Sequence, residues 1–339
     1  MHPKTHLAFL LLLTVSLLSC VDKIDLRQGE QLDKGIALSG RMRIENGLAN
    51  VVFRAERLFL FESNRGEVVA GATITLETSE GAIYPLSYDL EERLFTANFP
   101  FSPIEGTTVQ VRVITGAGDN YLSAPEAIPA PNIPESSTYE VIGDAGAADR
   151  QVRFLVTTNG RQEDGSGIPF LYRFSQDYRI KQPNGRQCFL TDRLRQVDVN
   201  FIDGKADYPG DLRSIIVYED PLDYRHAEGY YLSVIQEPLS NSAAEYFAAF
   251  VSLINRDASI FEPPPGNLPG NFFSLTDPED DQIYGYFYVT RPETIRIGIP
   301  PAAETANPLC EQFNFARFTV CTDCIEAGGR TVPPAFWEF

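Results

Sequence analysis

The sequence predicts a mainly β protein: an N-terminal immunoglobulin/prealbumin-like β-sandwich followed by a larger β-rich domain with one short helix. Short apolar runs alternate with period two, as half-buried strands require. Turn residues divide these runs, with 25 Gly and 24 Pro spread along the whole chain. The chain is also rich in aromatics, with 23 Phe and 15 Tyr, which suit a pleated surface.

Residues 1–19 carry one charge, Lys4, ahead of an apolar run from Leu7 to Leu13 that continues through Val15, Leu17 and Leu18. The pattern is that of a signal peptide, too short for a membrane span of about 20 residues. It ends in Leu17-Leu18-Ser19-Cys20, which resembles a bacterial lipobox, so cleavage before Cys20 and lipid attachment to it are expected. Each buried methylene of an acyl chain such as palmitate contributes about 0.8 kcal/mol, so several chains would anchor the protein durably. The lipidated cysteine and a polar tether then fill residues 20–34.

From Ile36 the alternation begins, in Ile36–Ile44, Val68–Leu76, Leu94–Phe99 and Val109–Ile114, with turns at Ser79–Gly81, Pro103–Gly106 and Gly116–Asp119. Residues 35–127 are therefore expected to form the sandwich, able to fold alone. The prolines of Ala124–Pro134 cannot join a central strand, so a stiff linker with few contacts is expected there. In the remainder, 128–339, alternation resumes at Gln151–Thr157, Val197–Ile202, Ser214–Tyr218 and Tyr230–Ile235. Ser242-Ala-Ala-Glu245 has capping-box spacing, and Tyr246, Phe247, Phe250, Val251 and Ile254 fall on one helical face, predicting a buried helix over 242–254. The proline run Phe261–Asn271 predicts a loop, and strands return at Gly285–Val289 and Thr294–Gly298.

The formal charge is -18, and removing residues 1–19 takes away Lys4 and no acid, leaving -19. Such a surface repels nucleic acid and anionic lipid. His2 and His6 leave with the signal peptide, so a multi-histidine zinc site is excluded and a histidine-dependent triad could use only His226. His226 lies in the polar segment Asp223–Gly229, where an exposed loop histidine without chemistry is expected. No catalytic residue, cofactor or metal site is predicted. The acidic run Asp277–Asp281 lacks EF-hand spacing and reads as a solvated turn. Cys188, Cys310, Cys321 and Cys324 are candidate disulfide cysteines with three possible pairings. Cys321-Thr-Asp-Cys324 has redox-motif spacing but lies in a Gly/Pro-rich tail, so a structural role is expected. Trp337, the only tryptophan, is expected to dock the C-terminal tail onto the second domain.

A set of motifs in fixed order resembles domain-of-unknown-function family 4249: Cys20 with its acidic stretch, Val69–Leu76, the Ala124–Pro131 linker, Tyr231–Gln236, Phe261–Pro265, Pro269-Gly270-Asn271, Gly285-Tyr286-Phe287 and the tail from Cys321 to Trp337. Gly270 and Gly285 suit backbone positions that a side chain would obstruct. The resemblance covers nearly all of the mature chain. It implies a lipoprotein of the Gram-negative outer membrane, on the cell surface or periplasmic face, in the company of TonB-dependent receptors and paired surface lipoproteins. It carries over no catalytic residue. The expected role is thus a non-enzymatic accessory or binding component of nutrient uptake, with the membrane as partner through its lipid. The alternatives are a free-standing glycan- or peptide-binding lipoprotein using exposed aromatics such as Tyr208, Tyr224 or Tyr230, and a hydrolase working through two facing carboxylates.

Overall fold

Ile36–Glu45 and Leu48–Arg57 pair antiparallel around Asn46-Gly47, whose φ values of 51° and 75° suit the twist of a two-residue hairpin turn. In both strands alternate residues face inward: Ile36, Leu38, Met42 and Ile44 in the first, Ala49, Val51, Phe53 and Ala55 in the second. The computed structural model describes residues 35–339 except 59–65, 70, 145–148, 163–164, 195–199, 205–211, 255–267, 269, 280–281, 302–306 and 312–316. Cys20, its tether, Tyr208, Phe261–Pro265 and Pro269 lie outside the described residues.

Among the described residues the strands form four sheets of seven, six, three and five strands. The first two enclose one apolar core, built from Leu38, Val51 and Phe53 on one side and Leu76, Val111 and Val113 on the other. The other two enclose a second core around Phe154, Tyr172, Tyr230 and Val234. The chain is therefore mainly β with two sandwich-like units, and among the described residues the one long helix spans Asn241–Ile254.

The partition into 35–127 and 128–339 does not describe how the sandwiches are built. Phe287–Thr290 and Ile283–Tyr284 run parallel to Ile36–Glu45, and Phe272–Ser274 adds to Asn120–Ser123. Phe272, Phe287 and Val289 belong to the first core, with the Phe53 and Phe272 rings 5.8 Å apart. The first sandwich is thus completed by chain that has already passed through the second. Gly270 and Gly285 explain how the returning segment fits. A side chain on Gly270 would meet the Gly285 backbone, and one on Gly285 would meet that of Leu38, with Gly285 also at φ 104°.

The linker also differs from expectation. Glu126–Ala127 pairs with Thr108–Ile114 although Pro125 precedes it, and Glu126 is buried. Asn132 is buried as well, its Nδ2 donating to the Asn159 carbonyl at 3.0 Å while its Oδ1 accepts from Gln236 Nε2 at 2.8 Å. The prolines keep 128–135 out of the sheets, but Asn132 ties that stretch to the second sandwich while Ile128 packs against the first core.

The helix starts one residue before the predicted position, and its cap is not the predicted box. Ser240 Oγ accepts from the Ala243 N–H at 3.0 Å, while Ser242 donates instead to Glu126. Ala243 and Ala244 are the buried residues, and the predicted stripe is half-buried, with Ile254 exposed. Tyr246 stacks on Tyr286 at 4.5 Å and Phe247 meets Tyr288 edge-on at 5.3 Å, so the helix leans on the returning segment.

Two disulfides resolve the open pairing: Cys188 with Cys324 and Cys310 with Cys321. The two cysteines of Cys321-Thr-Asp-Cys324 thus belong to different bridges, consistent with a structural role. Beyond them the tail docks as expected. Trp337 meets Phe189 and Tyr231 at 5.0 and 5.2 Å, Phe339 stacks on Tyr231 at 4.8 Å, and Arg179 Nη1 holds the Phe339 carbonyl at 3.2 Å.

Candidate functional site

Between the inward residues of Ile36–Glu45 stand Arg41 and Arg43, which the pleat turns to the outer face of the first sandwich. Register places Arg41 beside Tyr288 and Arg43 beside Thr290. The second sandwich brings the outer face of Phe170–Lys181 against them. There Leu171 lies opposite Glu237, Arg173 opposite Ile235 and Ser175 opposite Arg193. The two faces meet over an apolar cluster of Leu171, Leu239, Ala243, Tyr286 and Tyr288. Beside that cluster they leave a cleft of about 590 Å³ lined by Arg41, Arg43, Arg173, Arg193 and Phe247 among others.

Glu237 is wholly buried at the seam. Its Oε2 accepts from Arg173 Nε at 3.0 Å, and its Oε1 lies 3.6 Å from Arg43 Nε. Arg173 Nη2 also donates to the Tyr288 hydroxyl at 2.9 Å. Burial alone would lower the Arg173 pKa, but Tyr288 and Glu237 beside it more than reverse this. Burial pushes the Tyr288 hydroxyl up and Glu237 adds to the rise, while Arg173 and Arg41 oppose it. Arg43 has a second acid, Glu45, at 2.8 Å. Arg41 Nε is buried and donates to no acceptor among the described residues, and Arg193 is exposed at the mouth. Four guanidinium groups thus line the cleft beside two carboxylates, which pair with Arg43 and Arg173 alone among the described residues, in a chain whose formal charge is -18.

A second polar centre surrounds His226. The expectation of an exposed loop histidine is corrected: His226 is wholly buried, in the 3-10 turn Tyr224–His226, its ring 4.4 Å from that of Tyr230. Its Nδ1 accepts the Asp223 N–H at 3.3 Å. The polar composition of Asp223–Gly229 concealed this, because the polar groups bond to one another. Arg225 Nη2 contacts Asp220 at 2.7 Å and Asp223 at 2.8 Å, and Arg225 Nη1 donates to Gln176 at 2.9 Å. Burial raises the Asp220 pKa against the pull of Arg225. Asp223 is held below the usual carboxylate range, because His226 and Arg225 beside it outweigh its burial. The structure therefore brings two acids together, but with a guanidinium between them. Their evident physical role is to clip the turn onto the second sandwich.

The proposed stacking platforms among the described residues, Tyr224 and Tyr230, do not present one exposed surface. Tyr230 lies in the second core, and Tyr224 is half-buried with its ring 6.4 Å from Tyr178. Asp277, Pro278 and Glu279 are exposed, as a solvated turn would be. Among the described residues no group of three or more His, Cys, Asp or Glu stands close enough to hold a metal ion, and no helix is long and apolar enough to cross a membrane. Reading the sequence missed the arginine cleft. Its one visible signal is Arg41-Met42-Arg43, two cations on the outward face of a strand, which an uncovered sheet would also carry.

The model of one protein family, described as a domain of unknown function (DUF4249), matches residues 36–296. No curated protein matches the chain. The match spans the arginines of the first sandwich, those of the second, and the returning segment that joins them.

Proposed function

This chain belongs to the DUF4249 family, and we propose that it is a lipid-anchored, non-enzymatic binding component of the outer membrane that works in TonB-dependent nutrient uptake. The observation that carries the binding role is the cleft of about 590 Å³ at the seam of the two sandwiches, a size typical of small-molecule sites. The leader ending at Cys20 supports the anchor, and the two disulfides suit an oxidising compartment outside the cytoplasm. The company of a TonB-dependent receptor or a paired surface lipoprotein is what the family resemblance implies. No cofactor is needed for this role.

The test is purification of the native lipoprotein from cross-linked membranes. A TonB-dependent receptor or surface lipoprotein should co-purify, and Cys20→Ser should abolish both membrane retention and co-purification. Recovery of the protein alone would favour a free-standing binder of glycan or peptide, which the same cleft would equally serve.

A further inference from the structure

We propose that the cleft between the sandwiches binds a small organic oxyanion, a carboxylate or a sulfate or phosphate ester of about sugar-acid size, through Arg41 and Arg193. This deepens the binding role argued above and rests on it. Arg43 and Arg173 are already engaged, because both point their Nε atoms at the buried Glu237. Arg41 and Arg193 are the surplus. Arg41 stands on the strand wall with a buried Nε that meets no acceptor among the described residues, a costly state for a cationic donor. Arg193, opposite Ser175 on the facing sheet, reaches the mouth of the same cleft.

An oxyanion placed between them would satisfy the Arg41 donor and neutralise the local excess. Guanidinium is well suited to this, because its planar fork matches the paired oxygens of carboxylate, sulfate and phosphate. Phe247 at the cleft wall offers an apolar surface to the body of the ligand. The overall charge of -18 opposes anion approach at long range. Screening confines that repulsion to about 8 Å at physiological salt, so a ligand inside the cleft meets chiefly the arginines. A neutral molecule would leave the surplus guanidinium groups as they are and gain little from the site.

The experiment is calorimetric titration of the detergent-solubilised full-length lipoprotein with galacturonate, glucose 6-sulfate, glucose 6-phosphate and neutral glucose. At least one of the three anions should bind, glucose should not, and raised salt should weaken the binding. Arg41→Gln and Arg193→Gln should each weaken it about tenfold or more, the change expected when a charge-assisted hydrogen bond is lost. Arg193 is exposed, so its variant keeps the test decisive even if Arg41→Gln fails to fold. Which anion binds separates a carboxylate ligand from a sulfate or phosphate ester. The proposal is overturned if no anion binds the folded protein at millimolar concentration, or if both variants bind unchanged. Tight binding of glucose would also overturn it while leaving a binding role for the cleft intact.

Discussion

The fragment 35–127 should not fold cooperatively alone, even though it contains most of the first sandwich's strands. The structure supplies the size of the defect. Phe272, Phe287 and Val289 come from the returning segment, and all three are buried in the first core. Burying such a side chain contributes about 1.5–3 kcal/mol, so the fragment forfeits roughly 5–9 kcal/mol of apolar burial. It also leaves Ile36–Glu45 as an unpaired edge along its parallel partners. A whole domain is stable by about 5–15 kcal/mol, so the loss rivals the total. Circular dichroism of the fragment through a urea titration should show no sigmoidal transition. In the full chain, Phe287→Ala isolates the largest part of the effect and should cost about 3–5 kcal/mol. A fragment that melts cooperatively, or a Phe287→Ala cost below about 1 kcal/mol, would refute the reasoning.

Reduction should lower stability in urea, because Cys188–Cys324 closes a loop with a separation of 136 residues, which loop entropy values at about 5 kcal/mol. The Cys188→Ala/Cys324→Ala double variant should reproduce most of that loss, and a urea midpoint indifferent to reductant would contradict it. His226→Ala should destabilise the chain by about 1–3 kcal/mol, since it removes a wholly buried ring packed on Tyr230; an unchanged midpoint would show that the site collapses without cost. Glu126 is buried with no cation beside it among the described residues, and burial raises its pKa despite hydrogen bonds from Ser240, Tyr286 and Ser242. A raised folded pKa means stability that is full below the unfolded value near 4.5 and is lost as pH rises through the folded value. Glu126→Gln should therefore flatten the fall in stability on the alkaline side of pH 4.5, and an identical pH profile in the variant would rule this out.

Period-two alternation located several strands with one face buried and the other open, though it passed over Leu48–Arg57, whose alternation is as regular. Gln151–Asn159 is such a strand, with Val152, Phe154, Val156 and Thr158 inward and the residues between them less covered. Phe170–Lys181, the longest of the described strands, was not legible, because the second sandwich buries one of its faces and the seam covers part of the other. Leu171, Tyr172, Gln176 and Asp177 are all buried there, which erases the alternation. The glycines of the returning segment could be read as sites of close backbone approach, but not as to which backbone. That partner, Leu38, is remote in sequence, and nothing local in either stretch records the parallel pairing. The cysteines could be counted but not paired, because pairing is decided by how the tail packs.

The cleft was illegible for a related reason, and its physics follows from the seam. Glu237 without partners would be a buried charge of several kcal/mol, so each sandwich contributes one arginine to it, Arg43 from the first and Arg173 from the second. Such a triad adds little net stability compared with an apolar contact, but it rewards only one placement of the two faces, because a shift would strand the carboxylate. The apolar cluster around Leu171, Tyr286 and Tyr288 supplies the adhesion, and the triad supplies the register. Arg41 and Arg193 are therefore held on walls whose spacing is fixed before any ligand arrives. An arginine already fixed on such a wall, as Arg41 is with its buried Nε, loses little entropy on capturing an anion, so less of the cleft's binding energy goes into ordering its own side chains.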